Sequence, residues 1–215
     1  MFSINGKFFK ALTKAGDFLI LGLIMVIFSL PIITIGASVT SAFYVGMKLV
    51  RDEEGYVFKG FIKSFKMNFK QSLIIELIIA LLGAILFTDI RICLMWSAKE
   101  GGIVSSLLLY TSIGFMLVLI AVTMYVFPML AKFSNTVFGT LKNALLLCMH
   151  HLPQTFIMLM GTVGLTYFSL MYFTEFIITI PVMLYIDSYI LARIFLKYIN
   201  QDNEQGIAEN GGQDV

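Results

Sequence analysis

Charge is what this sequence has least of. Asp, Glu, Lys and Arg make up only 13% of its 215 residues, against roughly 25% in ordinary soluble domains, while 59% are hydrophobic. A soluble domain of roughly 150 residues still leaves about a third of its unfolded-chain surface in water, and so much apolar surface has nowhere to hide. The shortage excludes a soluble globular domain and leaves an integral membrane protein. Cysteine is nearly absent too. Cys93 and Cys148 lie in or beside apolar runs without the paired spacing of a disulfide framework or zinc site, and are expected to be small core residues. Also missing are HExxH, GxSxG and P-loop signatures and any cysteine–histidine set on one helix face. The chain is therefore expected to be no enzyme and to hold no metal and no cofactor. Adjacent His150 and His151 point about 100° apart on a helix, which suits a surface or headgroup role better than a metal. With a net charge of only +2, no nucleic-acid partner is expected.

What is present is long apolar runs. Ser72–Trp96, Ile103–Ala131, Pro153–Phe173 and Phe176–Tyr198 each reach the ~20 residues that cross a hydrocarbon core of about 30 Å. A fifth run, Phe18–Val50, contains one charged residue, Lys48, and one of the chain's four prolines. Lys7, Lys10 and Lys14 precede it as they would a secretory signal, yet further spans follow and the segment is expected to be retained. Cytoplasmic loops collect Lys and Arg. With the 51–71 loop inside and Phe18–Val50 entering and returning to the same side, 13 of the 15 basic residues fall inside or at the inner interface. A single crossing would strand three lysines outside.

Pro31 and Gly36 supply the break such a hairpin needs. Proline disfavours helix in the residue before it and lacks an N–H, and glycine relaxes the backbone before a second helix begins, with Thr34 or Ser38 as its cap. The second arm, 36–46, is rich in small residues, which let helix backbones approach closely in lipid, and is expected to sit deep, either spanning or re-entrant.

Two amphipathic stretches are expected on the cytoplasmic side. In residues 56–70, Phe58, Phe61, Phe65 and Phe69 recur at helical spacing, with Lys59, Lys63, Lys66 and Lys70 one position on. This pattern predicts a helix along the inner leaflet that contacts lipid or docks a partner. The second stretch lies between Lys132 and Pro153, capped by Ser134 or Asn135. The run ending FKQSLII around Gln71 is loosely echoed by LPQTFIM around Gln154, 83 positions on, as a parallel duplication would produce. The reading is thus an all-α polytopic protein with about six membrane segments, both ends inside, forming a single domain over 1–198. Residues 199–215, polar and aperiodic, are expected to be a disordered cytoplasmic tail.

Intramembrane polar residues are the candidate sites. Asp187 sits eleven residues into the last span, where a carboxylate costs roughly 2.5–3.5 kcal/mol. It reads either as an ion or proton site or as a hydrogen-bonded structural carboxyl. Tyr185, Ser188, Tyr189 and Arg193 are its neighbours in sequence. Glu76 lies about a turn inside its span and is expected to pair with Lys70 or Lys142, and Asp89 and Arg91 suit the outer interface.

The segment LPIITIGAS (30–38) with Ala42 and Tyr44, then 51–72, YVFPMLAKFSNT (125–136), LKNALL (141–146) and LPQT (152–155), together resemble the YesL-like family of bacterial integral membrane proteins. The resemblance implies a small polytopic protein of the bacterial inner membrane whose kin lie beside carbohydrate ABC importers. It carries over no catalytic residues. Its recurrent positions, here Pro31, Thr34, Gly36, Phe65, Asn68, Pro128 and Asn143, suit turns and helix contacts. The expected function is a non-enzymatic accessory of such an importer, with membrane lipid and permease components as partners. The alternative is a small secondary transporter or channel using Asp187.

Overall fold

The computed structural model describes residues 3–53, 55–100, 102–172 and 176–211, with side chains for residues 6, 8–53, 55–98, 102–167, 169 and 178–199. The described chain is all helix, without a strand. Its elements are α1 (Ser3–Ser29), a 3-10 turn (Ile32–Thr34), α2 (Ile35–Val50), α3 (Val57–Glu100), α4 (Ile103–Lys132), α5 (Val137–His150), α6 (Leu152–Tyr172) and α7 (Phe176–Gly211). Five segments, Phe8–Ser29, Ile32–Val50, Val57–Ala98, Ile103–Lys132 and Ile178–Ile199, are long and apolar enough to cross a membrane. The α5–α6 pair, bent by 97° at its joint, makes a sixth if counted as one span. Residues 174–175, which separate the last two apolar runs of the sequence, lie outside the described residues.

The hairpin of α1 and α2 closes on itself. At its open end, Lys14 donates to the Val50 carbonyl (3.1 Å) and pairs with Asp52 (2.9 Å). Asp52 has φ 55, the left-handed turn that ends α2, and the N–H groups of Asp52 and Glu53 cap Leu49 and Lys48 there. At the other end α1 stops at Ser29, two residues before Pro31, as the sequence predicts. The turn presents Leu30 and Ile32 outward rather than sitting within protein. Its carbonyls are satisfied from inside instead: the Thr34 hydroxyl lies 2.6 Å from the Phe28 oxygen and 2.7 Å from that of Pro31.

The small-residue arm is the centre of the bundle. Gly36, Ala37, Ser38, Thr40, Ser41, Ala42 and Gly46 of α2 are all buried, and α1, α3, α4 and α7 pack around them. The approach is close: a Cβ added at Gly46 would lie 2.5 Å from Ser188 Oγ of α7, and one at Gly22 of α1 would lie 2.6 Å from Pro181 Cγ.

Three expectations change here. Residues 56–70 are not a separate surface helix but the opening turns of α3, which runs 44 residues without a break. Nothing between Lys66 and Glu76 is proline or glycine, and once a helix is nucleated each added residue brings its own hydrogen bond. The second expected amphipathic helix does exist as α5, but its cap is Thr136, whose hydroxyl accepts from the Gly139 N–H (3.2 Å), in place of Ser134 or Asn135. Finally, α7 continues to Gly211 into the segment expected to be a disordered tail; Glu204, Gln205, Ala208 and Glu209 are good helix formers that extend an existing helix at little cost.

Candidate functional site

Asp187 is the polar residue whose placement is least explained by packing. It lies on α7 one turn and a half past Pro181, and its neighbour Ser188 faces Gly46 of α2. Only 8% of Asp187 is exposed, and among the described residues its carboxyl has no hydrogen-bond or ion-pair partner. It faces a cavity of about 560 Å³. The walls come from Met25 on α1, Ile35, Val39 and Phe43 on α2, and Ile79 and Gly83 on α3. Met116 to Phe127 on α4, Thr162 on α6 and Ile180 to Asp187 on α7 complete them. The polar side chains among the lining residues are Thr123, Thr162 and Asp187. Thr123 is satisfied by the Leu119 carbonyl (2.7 Å), whereas the buried hydroxyl of Thr162 has no partner.

α4 and α6 are tied to each other side chain to side chain. Tyr125 of α4 and Thr155 of α6 are joined hydroxyl to hydroxyl at 2.8 Å, and the Thr155 hydroxyl also reaches the His151 carbonyl at 2.9 Å. Thr162, two turns further along α6, already lines the open space. Of the α4 residues that line the cavity, Ile120 is exposed, so the space is open beside it.

The expected partners of Asp187 lie elsewhere. The Arg193 guanidinium sits over the Tyr189 ring, 4.4 Å from its centroid, beside a second pocket that includes His151, Gln154 and Lys197. Its planar cation gains more from the ring face than from a carboxyl about 9 Å along the axis. His151 Nε2 lies 3.2 Å from the Tyr198 hydroxyl. Among the described residues no three of His, Cys, Asp and Glu are grouped to hold a metal ion.

Glu76 and Gly36, singled out separately, belong to one contact. Glu76 Oε2 accepts the Gly36 N–H at 3.1 Å, so a carboxyl from α3 satisfies a free donor in the first turn of α2 and faces its positive end. This replaces the expected pairing with Lys70 or Lys142, whose side chains stay exposed. It also replaces Thr34 and Ser38 as caps, since the Thr34 hydroxyl is directed to the preceding turn and that of Ser38 has no partner. Gly36 itself is present for close approach rather than for backbone freedom. A Cβ there would stand 2.8 Å from Phe127 Cε1 and 3.1 Å from the Ser72 carbonyl oxygen, and its φ is not in the left-handed region.

The aromatic stripe turns inward. Phe61 is fully buried, and Phe28 of α1 packs between it and Phe65 with centroid distances of 5.3 Å to each. Phe65 in turn touches Phe69 at 5.5 Å, and Phe58 alone is left exposed. Phe61 of the expected docking face is thus core and Phe65 and Phe69 are half-buried, while Lys59, Lys63, Lys66 and Lys70 form the exposed face. Asn143 lines a pocket with Asn135 and His150 beside α5. At the far end of α3, Asp89 accepts a hydrogen bond from Ser112 of α4. Sequence reasoning missed the Tyr125–Thr155 and Lys14–Asp52 ties, because each joins residues more than 25 positions apart with no shared pattern.

Residues 18–90, about a third of the chain, match a family described as "Protein of unknown function, DUF624", which is the YesL-like family. The match covers the α1–α2 hairpin, the Glu76–Gly36 contact and most of α3. No curated protein and no solved structure matches the chain.

Proposed function

We propose that this chain is a non-enzymatic accessory component of a carbohydrate ABC import system in the bacterial inner membrane, with about six membrane segments and both ends in the cytoplasm. The observation that carries this reading is the lining of the Asp187 cavity. Walls built almost wholly of Met, Ile, Leu, Val and Phe, with only Thr123, Thr162 and Asp187 polar, offer a sugar far fewer hydrogen-bonding groups than it would need in place of water. A protein of this kind assists a permease rather than replacing one. Two further features support it: the likeness of residues 18–90 to the YesL-like family, and the exposed lysine face of α3, suited to acidic surfaces on a partner or to anionic headgroups. Affinity purification in mild detergent followed by mass spectrometry tests the reading. Co-purification of importer subunits is the expected result, and their absence from preparations that retain intact protein would refute it.

A second reading has a specific observation in its favour. A buried carboxyl without a partner is what a small secondary transporter uses to hold a cation or proton. In sealed liposomes containing this protein alone, that reading requires uptake that Asp187→Asn abolishes. The accessory reading requires no uptake in either protein.

A further inference from the structure

The geometry points to the Asp187 cavity as a binding site for an amphiphilic amine, an aliphatic molecule whose ammonium group is held by Asp187 and whose chain lies along the apolar walls. The site does not depend on either reading above, since it concerns what the chain binds alone. Three observations meet in it. Asp187 is more than nine-tenths buried, and among the described residues neither it nor the Thr162 hydroxyl in the same cavity has a polar partner. An isolated carboxylate in an apolar site is costly, and the remedy is a donor with positive charge. Among the described residues no basic side chain lines the cavity, and Arg193 is engaged with Tyr189, so none of them supplies such a donor there.

Shape and access narrow the ligand. A volume of about 560 Å³ falls within the roughly 300–1,000 Å³ of ligand sites. A bare metal ion fits poorly, because Ca²⁺ takes about 6–8 oxygen ligands and the wall offers one carboxyl and two hydroxyls. A hydrated or sugar-like molecule fits no better against walls of Ile, Leu, Met and Phe. The exposed lining residues Ile35 and Ile120 stand at the rim, on helices long and apolar enough to cross a membrane, so the opening suits entry from lipid. A molecule that partitions into lipid and carries one ammonium satisfies all of these conditions.

The test uses the full chain in dodecyl maltoside micelles and a dodecylamine probe with a photoreactive diazirine in its chain. Saturable labelling of peptides from α4 or α7 is expected, competed by dodecylamine and not by dodecanol. Asp187→Asn should weaken the probe by about tenfold or more, the worth of a charge-assisted hydrogen bond. Gly83→Phe should block labelling while leaving Asp187 in place. Gly83 lines the cavity, and the nearest neighbour to a Cβ there is Leu119 Cδ2 at an ordinary 3.8 Å, so the added ring has space to enter. Competition by phosphatidylethanolamine would support the site and name a membrane lipid as the source of the amine; failure of that lipid while dodecylamine competes would support it with a smaller free amphiphile. Equal competition by dodecanol in the wild-type protein, or labelling unchanged in both variants, would overturn it, leaving Asp187 as a protonated structural acid.

Discussion

Gly36→Ala is a one-methyl change whose sign depends on how closely α2 approaches its neighbours. In an open helix alanine gains about 1 kcal/mol over glycine, and less in a first turn, where Gly36 lies. The space argues the other way. The new methyl would meet Phe127 Cε1 at 2.8 Å, the Ser72 carbonyl oxygen at 3.1 Å and Glu76 Oε2 at 3.2 Å. The Phe127 ring borders the Asp187 cavity and has room to shift, but the Ser72 carbonyl belongs to the α3 backbone and does not. The remaining escape is for α2 to move away, which lengthens the Glu76 hydrogen bond. Overpacking of this kind costs typically about 1–3 kcal/mol, so a net loss of about 1–2 kcal/mol is expected after the helix gain. Gly16 of α1 provides the control: a Cβ there meets nothing within 4 Å, and Gly16→Ala is expected to stabilise by about 0.5–1 kcal/mol.

The assay is reversible unfolding of purified protein in mixed micelles, titrated with a denaturing detergent and followed by far-ultraviolet circular dichroism. Opposite shifts of the two midpoints are the expected outcome. A Gly36→Ala protein as stable as Gly16→Ala would mean that α2 and α3 do not approach as described, and the account of the bundle centre would fall with it.

The Glu76 contact predicts that Glu76→Ala costs more than Glu76→Gln, since glutamine keeps an acceptor for the Gly36 N–H while alanine leaves it unsatisfied at about 1–3 kcal/mol; equal midpoints in the same titration would contradict it. The Lys14 hydrogen bond, helped by its charge, holds the Asp52 pKa below the ordinary 3.8, so the stabilisation it brings is present above that value and lost as pH falls through the lowered one. Wild type should therefore exceed Asp52→Asn in stability at neutral pH and converge with it in acid, as asparagine tolerates the left-handed turn equally; a gap independent of pH would refute the tie. Tyr125→Phe should cost about 0.5–1.5 kcal/mol and no more, because Thr155 keeps its bonds to the Cys148 and His151 carbonyls; a larger loss would show that the hydroxyl pair holds more than one bond's worth of structure.

Much of the scaffold could be read before any coordinates. Low charge and long apolar runs gave a helical membrane protein, Pro31 marked where α1 ends, and the crowd of small residues in 36–46 marked the helix that others surround. These features are local or compositional, so a one-dimensional reading reaches them. What it missed is pairwise. Glu76 was matched to lysines because opposite charge is visible in sequence, whereas the donor it uses is a backbone N–H with no letter of its own. Asp187 stood out as a carboxyl inside an apolar run, but the cavity it lines, walled by residues of α1, α2, α3, α4, α6 and α7, is a property of packing.

The misread surface helix has a cause that can be located in a single position. Aligned on the weak internal echo, Lys70 corresponds to Pro153, both immediately before a glutamine. In the first copy the helix runs straight from the lysine stripe into the apolar half of α3. In the second it breaks at His151 and turns by 97° between α5 and α6, where a proline disfavours helix just before it and is at home in a first turn. Amphipathic periodicity is the same on either side of such a joint and cannot tell a bend from a continuation; the proline can. The straight copy carries a mechanical consequence. Forty-four residues extend about 66 Å, twice a hydrocarbon core of about 30 Å. Exposed Lys59, Lys63, Lys66 and Lys70 form a basic face on the half of α3 that packs along α2, from Gly60 beside Val45 to Ser72 beside Gly36, and that half is continuous with the apolar half that shares the Asp187 cavity through Ile79 and Gly83.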